Sequence, residues 1–289
     1  MGQRGKVFTV SKEKRNSLRK KFEEMIMLDD EQINLAEAAL LIAAEEYPNL
    51  DIALYLEKID RIGDLVRERA SQAHNSLDIL SAINTTLFDD LGFRGNVKNY
   101  YDPRNSFLNE VIDRHTGIPI TLTVVYMEVA RRVGLHVEGV GMPGHFIAKL
   151  ATDGGEVFID TFNGGRLLGE AGCADLLSEM SSGRLKLKPE HMAAVTKKQI
   201  LERMLTNLMG VYAATDHRRA LAAIERILLI KPDSPPHIRD RGLLLATLGL
   251  TTSAITELER YLMLAHDSPD ADSIREQIKT IRQSQAKLN

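Results

Sequence analysis

Two kinds of hydrophobic spacing divide this chain. Between residues 28 and 95, apolar side chains recur at intervals of three and four, which is typical of helices that bury one face. Three helices are predicted there: one runs from Ile33 to about Tyr47, one is capped by Asp51, and one begins near Ser76. The segment FRGNVKNYYDPRNS that follows is predicted to be a loop because of its Gly, Asn and Pro content.

Residues 105–170 form the predicted core of a first domain that extends over residues 22–190. A short helix over 105–113 precedes a longer central helix from Pro119, since proline suits a first helical turn, where its missing N–H would have no helical partner. After Gly134 the spacing changes to the short β-prone runs HVEGVGM, HFIAKLAT and EVFIDT.

A hairpin is predicted from the last two of these runs, because Asp-Gly-Gly between them is a turn signal. In such a hairpin His145 and Asp160 lie on neighbouring strands. Neighbouring strands are about 4.8 Å apart, so a hydrogen bond between the two side chains is feasible in a suitable register.

The last part, residues 191–289, is predicted to be wholly helical and contains an internal repeat. ALAAIERIL at 220–228 recurs as AITELERYL at 254–262. The period resembles that of the tetratricopeptide repeat, with Ala220 and Ala254 at the small-residue position of the helix crossing. A helical repeat domain is therefore predicted to follow the first domain.

Composition and charge narrow the possible functions. The formal net charge of -3 gives no general reason for binding to nucleic acid or membrane, and no apolar run approaches the roughly 20 residues that span a bilayer. With one cysteine and no apolar leader of signal-peptide type, the chain is expected to be cytoplasmic. Residues 1–21 are basic and are predicted to form a flexible tail; the alternative is an arm for an acidic partner or nucleic acid.

The segments HTGIPITLTVVYMEVARRVGL, GVGMPGHFIAKL and VFIDTFNGG resemble the transglutaminase-like domain of the bacterial SirB family, in which tetratricopeptide repeats follow. The likeness covers roughly residues 30–285. It implies an α+β fold that is mainly helical: a papain-like core with a small antiparallel sheet, followed by the α-helical repeat domain.

The resemblance also implies where a catalytic triad would lie. In transglutaminase-like enzymes a cysteine at the start of the central helix attacks a carbonyl carbon, a histidine accepts its proton, and an aspartate orients the histidine. By position, His145 matches the histidine and Asp160 the aspartate, whereas the cysteine position falls at or near Pro119. Proline has no nucleophilic group, so the predicted site is an inherited pair without its nucleophile.

Other groups could replace the missing thiol. Thr121 and Thr123 lie in the first turns of the central helix, Ser106 lies upstream, and Cys173 is the one thiol of the chain. Each threonine hydroxyl would need strong activation. Cys173 has two interpretations, a structural half-buried cysteine or a rearranged partner of His145.

Several polar residues could line the same pocket. The predicted set is Asn105, Asn109, Pro119, Thr121 and Asn163, with capping and surface solvation as the alternative roles of the asparagines. Asn163-Gly164-Gly165 is predicted to form a tight turn, or else a nest of backbone N–H groups beside the pocket. No metal site is predicted, because the histidines lack a close ligand spacing, and no cofactor is expected.

The sequence therefore favours a catalytically inactive transglutaminase-like protein that acts as a cytosolic regulatory scaffold. It is expected to bind a protein or peptide partner through the repeat domain or through the old active-site groove around His145 and Asp160. The rival hypothesis is an acyl transferase, protease or amidase in which a cysteine or hydroxyl works with His145 and Asp160. A third hypothesis, nucleic-acid binding through the basic tail, is disfavoured by the low aromatic content and by the slightly negative net charge of the chain.

Overall fold

The structure is a computed structural model that describes residues 11–288 of the chain. Most of these residues are helical, with the bounds α1 Lys12–Ile26, α2 Leu35–Ala44, α3 Ile52–Arg69, α4 Ser76–Asn84, α5 Leu108–Arg114, α6 Pro119–Arg132, α7 Glu170–Ser181, α8 Lys197–Tyr212, α9 His217–Ile230, α10 Pro235–Thr247, α11 Thr251–Leu264 and α12 Ala271–Leu288. A π-helical segment, Thr85–Asp90, continues directly from α4. The predicted fold class, a mainly helical α+β domain followed by helical repeats, is confirmed.

The strands are short, with the bounds β1 Arg94–Gly95, β2 Thr116–Gly117, β3 Glu138–Val140, β4 Ile147–Thr152, β5 Gly155–Asp160, β6 Arg166–Leu168 and β7 Ala194–Val195. β1 and β2 form a two-stranded parallel pair. The other five form an antiparallel sheet in the order β6-β5-β4-β3-β7. The predicted hairpin is the β4–β5 pair, in which Leu150 lies opposite Val157.

The N-terminal segment differs from the prediction. Residues 12–21 are helical and belong to α1, so the prediction of a flexible tail is wrong for this stretch. The reason is packing, because α1 buries Phe22 completely and leaves Ile26 only 4% exposed, which anchors the helix despite its basic surface. Ser11 caps the helix by accepting a hydrogen bond from the backbone N–H of Lys14. Residues 1–10 of the predicted tail lie outside the described residues.

The central helix α6 is buried along most of its length. Proline occupies its first position as predicted, and the N–H of Ile118 donates to the hydroxyl of Thr121, which satisfies one of the donors left open at a helix start. At the other end, Arg132 pairs with the buried carboxylate of Glu128 at 2.8 Å. An almost fully buried helix of this kind fixes the strands that pack on it.

The sheet buries a second apolar cluster against α7. Its members come from β3, β4, β5, β6, α7 and the loop after β3, and they include Val140, Met142, Ile147, Phe158, Leu168, Cys173, Leu176 and Leu177. Ile147 of β4 and Phe158 of β5 thus pack with side chains of α7, and β4 also contacts the central helix. The hairpin is therefore anchored to both helices.

The chain forms two compact units, of which the first extends to Leu201 and the second starts at Glu202. The boundary predicted from the sequence lies after residue 190, whereas this division falls inside α8. The start of α8 is tied to the first unit by Asp30, whose carboxylate accepts the backbone N–H groups of Lys197 and Lys198 at 2.9 and 3.1 Å.

The second unit contains the predicted repeat. Ala220 of α9 and Ala254 of α11 are completely buried at equivalent places. The core around them comprises Ile224, Leu228, Ile238, Leu258, Tyr261, Ile274 and Ile278. Gly242 of α10 lies so close to α11 that a Cβ atom at this position would come within 2.7 Å of Leu258. The repeat packing therefore depends on a glycine at the crossing of α10 and α11.

Two glycine substitutions test this packing. We expect Gly242→Ala to lower the free energy of unfolding by about 1–3 kcal/mol, since the added methyl group overpacks the crossing. The matched control is Gly210→Ala in α8, where a Cβ atom meets nothing within 4 Å. The control should gain up to about 1 kcal/mol from helix propensity. Urea unfolding measures both, and equal stability of the two variants would contradict this description of the crossing.

Candidate functional site

The β4–β5 hairpin brings His145 and Asp160 into contact. Ala148 pairs with Ile159 in the hairpin register, so the residues just before β4 lie beside the end of β5. His145 Nε2 lies 2.9 Å from Asp160 Oδ1. Both side chains are buried, with 5% of His145 and 1% of Asp160 exposed. The hydrogen bond that the sequence allowed is thus present, although the pair is enclosed rather than open to solvent.

Asn163 supplies further donors to the carboxylate of Asp160. Its side-chain amide donates to Oδ2 at 2.7 Å, and its backbone N–H donates to Oδ1 at 3.4 Å. Asp160 thereby caps the 3₁₀ turn Thr161–Asn163. Burial alone would raise the pKa of Asp160, but the hydrogen bond and charge of His145 and the donors of Asn163 together hold that pKa below its usual value.

An ionised Asp160 determines the orientation of the imidazole. A carboxylate can only accept hydrogen bonds, so the proton of the bond lies on Nε2 of His145. In the neutral ring the proton-accepting nitrogen is then Nδ1. This is the arrangement in which an aspartate prepares a histidine to act as a base, and its chemistry depends on what lies near Nδ1.

The first turns of α6 approach the turn after Asp160. The hydroxyl of Thr123 lies 2.8 Å from the hydroxyl of Thr161, the residue after Asp160, and both residues are completely buried. Pro119 precedes Thr123 by about one helical turn and therefore lies on the same side of the helix. The position to which the resemblance assigns the triad cysteine is thus on the side of α6 that approaches this turn, and a proline occupies it.

The two threonine hydroxyls considered as replacements have structural partners. Thr121 donates to the backbone carbonyl of Asn105 at 2.7 Å and is completely buried. Thr123 is bonded to Thr161, as described above. Ser106, the third residue considered, is also buried, with 2% of it exposed.

The predicted pocket-lining residues take different places. Asn105 is completely buried and uses its side-chain amide in hydrogen bonds to residues 96–100, and Thr121 is completely buried as well. Asn109 is 4% exposed, and its Oδ1 has no hydrogen-bond partner among the described residues. Pro119 is buried at the start of α6, whereas Asn163 is exposed and contacts Asp160 directly.

Cys173 lies in the apolar cluster between the sheet and α7 and is completely buried. Burial raises the pKa of its thiol to about 11, and the negative charges of Asp160 and Glu170 add to the effect. A thiol with such a pKa is almost wholly protonated near neutral pH, so it is a poor nucleophile. The structure therefore favours the structural interpretation of Cys173 over a pair with His145.

Several contacts that the sequence does not reveal surround His145 and the turn after Asp160. Phe162, inside the IDTFNGG motif, sets its ring edge-on to His145 with the centroids 6.1 Å apart. Asn84 joins the central helix to the turn, because it accepts from Tyr126 at 2.9 Å and donates to the carbonyl of Gly165 at 2.8 Å. Gly165 has a positive φ of 74°, and a Cβ atom there would lie 2.4 Å from Phe88 of the π-helical segment. The Asn163-Gly164-Gly165 segment is thus a packed turn.

Neither a group of metal-binding side chains nor a membrane-spanning helix is found among the residues that the structure describes. No group of three or more His, Cys, Asp or Glu side chains able to hold a metal ion occurs within residues 11–288. No helix in this same range is both long and apolar enough to cross a bilayer.

The repeat unit contains a separate hollow of about 420 Å³ between α10 and α12. Apolar and polar residues of the two helices line it, including Leu243, Ala246, Thr247, Gln277, Thr280 and Ile281. A hollow with such a mixed lining could accept a side chain of a bound peptide.

Comparison with known proteins agrees with this architecture. Residues 53–206 match the transglutaminase-like superfamily, and residues 211–279 match the tetratricopeptide repeat. A UPF0162 protein of Xylella fastidiosa strain Temecula1 is 40% identical over 86% of this chain and 90% of its own length. A UPF0162 protein of Vibrio cholerae is 25% identical over 82% of this chain and 85% of its own.

A more distant similarity is confined to part of the chain. F-box only protein 21 of Mus musculus is 33% identical over 46% of this chain and 22% of its own length. The likeness to the UPF0162 proteins, in contrast, covers both units. The chain therefore belongs to the transglutaminase-like superfamily and, with the UPF0162 proteins, to the SirB-like family, in which tetratricopeptide repeats follow the transglutaminase-like domain.

Proposed function

We propose that this protein is a catalytically inactive transglutaminase-like scaffold that works by binding a protein or peptide partner. The proposal is supported chiefly by Pro119 at the first position of α6, one helical turn before Thr123, whose hydroxyl contacts Thr161 in the turn after Asp160. Acyl transfer through a covalent intermediate needs a nucleophile within hydrogen-bond reach of its base. A proline ring provides no such group.

The surroundings of the pair support the same proposal. The nearby threonine hydroxyls are bonded to structural partners, and the single thiol is buried with a raised pKa. His145 and Asp160 are nearly inaccessible, so a substrate carbonyl would have to displace packed side chains to reach them. In this proposal the pair stabilises the hairpin and the turn, and it is retained as a satisfied buried polar interaction.

In this proposal the partner protein or peptide binds to surface residues, including those of the repeat unit. Tetratricopeptide helices present grooves that fit extended or helical peptides, and in this proposal the hollow between α10 and α12 serves as one such groove. We place the protein in the cytoplasm and give it a regulatory role. The cytoplasmic location is supported by the single cysteine, which is free, so the fold needs no disulfide and no oxidising compartment.

The rival enzyme hypothesis rests on one specific observation, the 2.9 Å hydrogen bond between His145 and Asp160. In a triad the histidine is the base and the aspartate orients it, so His145 and Asp160 match two of the three members. The two hypotheses differ in whether the wild-type chain contains a nucleophile that His145 can activate.

Restoring the missing thiol tests whether the pair is an inherited catalytic half. In a Cys173→Ala background, we expect the thiol introduced by Pro119→Cys to have a pKa lower by about one unit or more than in the same variant with His145→Ala. The physical reason is that a helix N-terminus and a neighbouring imidazole both lower a thiol pKa. The ultraviolet absorbance of the thiolate, recorded against pH, measures both pKa values and needs no reagent to enter the buried site.

The control for this experiment is Thr256→Cys, an exposed position on α11. The pKa of its thiol should be the same with and without His145. If the pKa of the thiol introduced by Pro119→Cys is also independent of His145, the positional match between Pro119 and the catalytic cysteine is contradicted.

A matched pair of threonines tests the repeat surface. Thr280 lines the hollow, whereas Thr256 lies on α11; both are exposed, and both hydroxyls donate to the carbonyl four residues earlier. We expect Thr280→Arg to abolish crosslinking to proteins that the wild type captures, because the long cation fills the hollow. Thr256→Arg should leave crosslinking unchanged. Equal loss in both variants would show that the hollow is not the binding surface.

A further inference from the structure

Residues 96–104, called here the tyrosine loop, are rigidly built. The buried amide of Asn105 donates to the carbonyls of Asn99 and Tyr100 at 2.8 and 3.1 Å. It also accepts from the side chain of Asn96 at 3.0 Å. The side chain of Asn96 in turn accepts the backbone N–H of Asn99. A loop with this many internal hydrogen bonds presents its outer side chains in a fixed arrangement, which lowers the entropy lost on binding.

The outer side chains of this loop are unusually apolar for a solvent-facing tip. Tyr101 is 78% exposed and Val97 is 76% exposed, while Tyr100 is 38% exposed. Exposed tyrosine of this kind is enriched at protein interfaces, because its ring buries a large area while losing little side-chain freedom. The tip is therefore a candidate contact surface.

A continuous series of aromatic contacts leads from this tip to the buried pair. Tyr101 packs edge-on against Tyr100 at 5.4 Å, and Tyr100 packs against Phe162 at 6.1 Å. Phe162 in turn packs against His145. A ligand on the tyrosine loop would thus contact rings that are packed in series onto His145.

Two exposed cations lie in the loop or just before it. Arg94 precedes Gly95, where a Cβ atom would lie 2.6 Å from the Phe162 ring, and Lys98 lies within the loop. Both are exposed, and neither forms an ion pair with any residue in the range 11–288. Arg104 is bonded to Asp102 and leaves no net charge there. The loop is therefore locally cationic on a chain whose formal net charge is -3.

We propose that the tyrosine loop, with Arg94 and Lys98, is a docking surface for a segment of a partner protein in which acidic residues flank an apolar side chain. The inference rests on the proposed function as a binding protein and assigns one binding surface to the transglutaminase-like unit. The exposed ring of Tyr101 and the methyl groups of Val97 contact the apolar side chain. Arg94 and Lys98 attract the carboxylates, which raises the association rate and weakens binding as salt increases.

The geometry favours an acidic peptide over single-stranded nucleic acid. A stacking platform for bases needs open aromatic faces along a cationic groove. Here Tyr100 is engaged edge-to-face by both Tyr101 and Phe162, and Asp102 lies in the middle of the loop. The two exposed cations suffice for a few carboxylates rather than for a phosphate backbone.

Binding of a defined probe to the full-length chain tests the proposal. The probe is a fluorescently labelled peptide in which glutamates flank a central leucine, and affinity is measured by fluorescence anisotropy at low and high salt. We expect Tyr101→Ser to weaken binding by about tenfold or more, as for a central contact residue. Lys98→Glu should weaken it by about fivefold and reduce its salt dependence.

The matched control is Lys186→Glu, which makes the same change of charge at another exposed lysine without an ion pair in the described range. This variant should bind the probe as the wild type does. Thermal unfolding confirms that each variant is folded, as expected for exposed positions.

Three results would overturn the inference: no binding of the glutamate peptide to the wild type, an equal loss in Lys186→Glu, or tighter binding of an oligothymidylate at the same loop. A loss of peptide binding in Thr280→Arg but not in Tyr101→Ser would also overturn it. That last result would move the binding surface to the repeats and leave the proposed function intact. Failure of this inference can therefore be distinguished from failure of the proposed function.

Discussion

The carboxylate of Asp160 contacts three donors at once: the ring of His145 and both the side-chain amide and backbone N–H of Asn163. Because these donors come from the start of β4 and from the turn after β5, the carboxylate joins the hairpin to that turn. The turn is held from its other side by Asn84 and by the close approach of Phe88 to Gly165. The arrangement of the site depends on this one buried charge and on its satisfaction by protein donors.

The same interaction explains why a triad-like geometry can persist without catalysis. Removing one partner would leave a buried carboxylate with fewer donors, which is strongly destabilising. The pair is thus maintained for stability whether or not a nucleophile is present. Pro119, for its part, suits the first turn of a helix better than a cysteine does, since its fixed φ is already helical. A proline at this position and a retained His145–Asp160 pair are therefore physically compatible.

Much of the fold follows from local patterns in the sequence. The Asp-Gly-Gly turn and the alternating runs beside it predicted the β4–β5 hairpin, and Pro119 with Gly134 marked the ends of the central helix. The internal repeat predicted the α9 and α11 packing through Ala220 and Ala254. These features depend on neighbours in the chain, so periodicity and turn chemistry are sufficient to find them. The remaining features depend on contacts between distant residues. The basic composition of residues 12–21 hid a helix whose anchors, Phe22 and Ile26, lie beyond that stretch. The enclosure of His145 by Phe162 could not be inferred either, because strand register and side-chain packing decide it.

The central claim is that the folded wild-type chain contains no nucleophile for His145 to activate. Its most direct test is intact-mass spectrometry of wild type and His145→Ala after incubation with thiol- and serine-directed electrophiles near pH 7. The account predicts no adduct that depends on His145, with Cys173 protected until the protein is unfolded, as its burial and a pKa of about 11 require. A stoichiometric adduct on the native wild type that disappears in His145→Ala would contradict it.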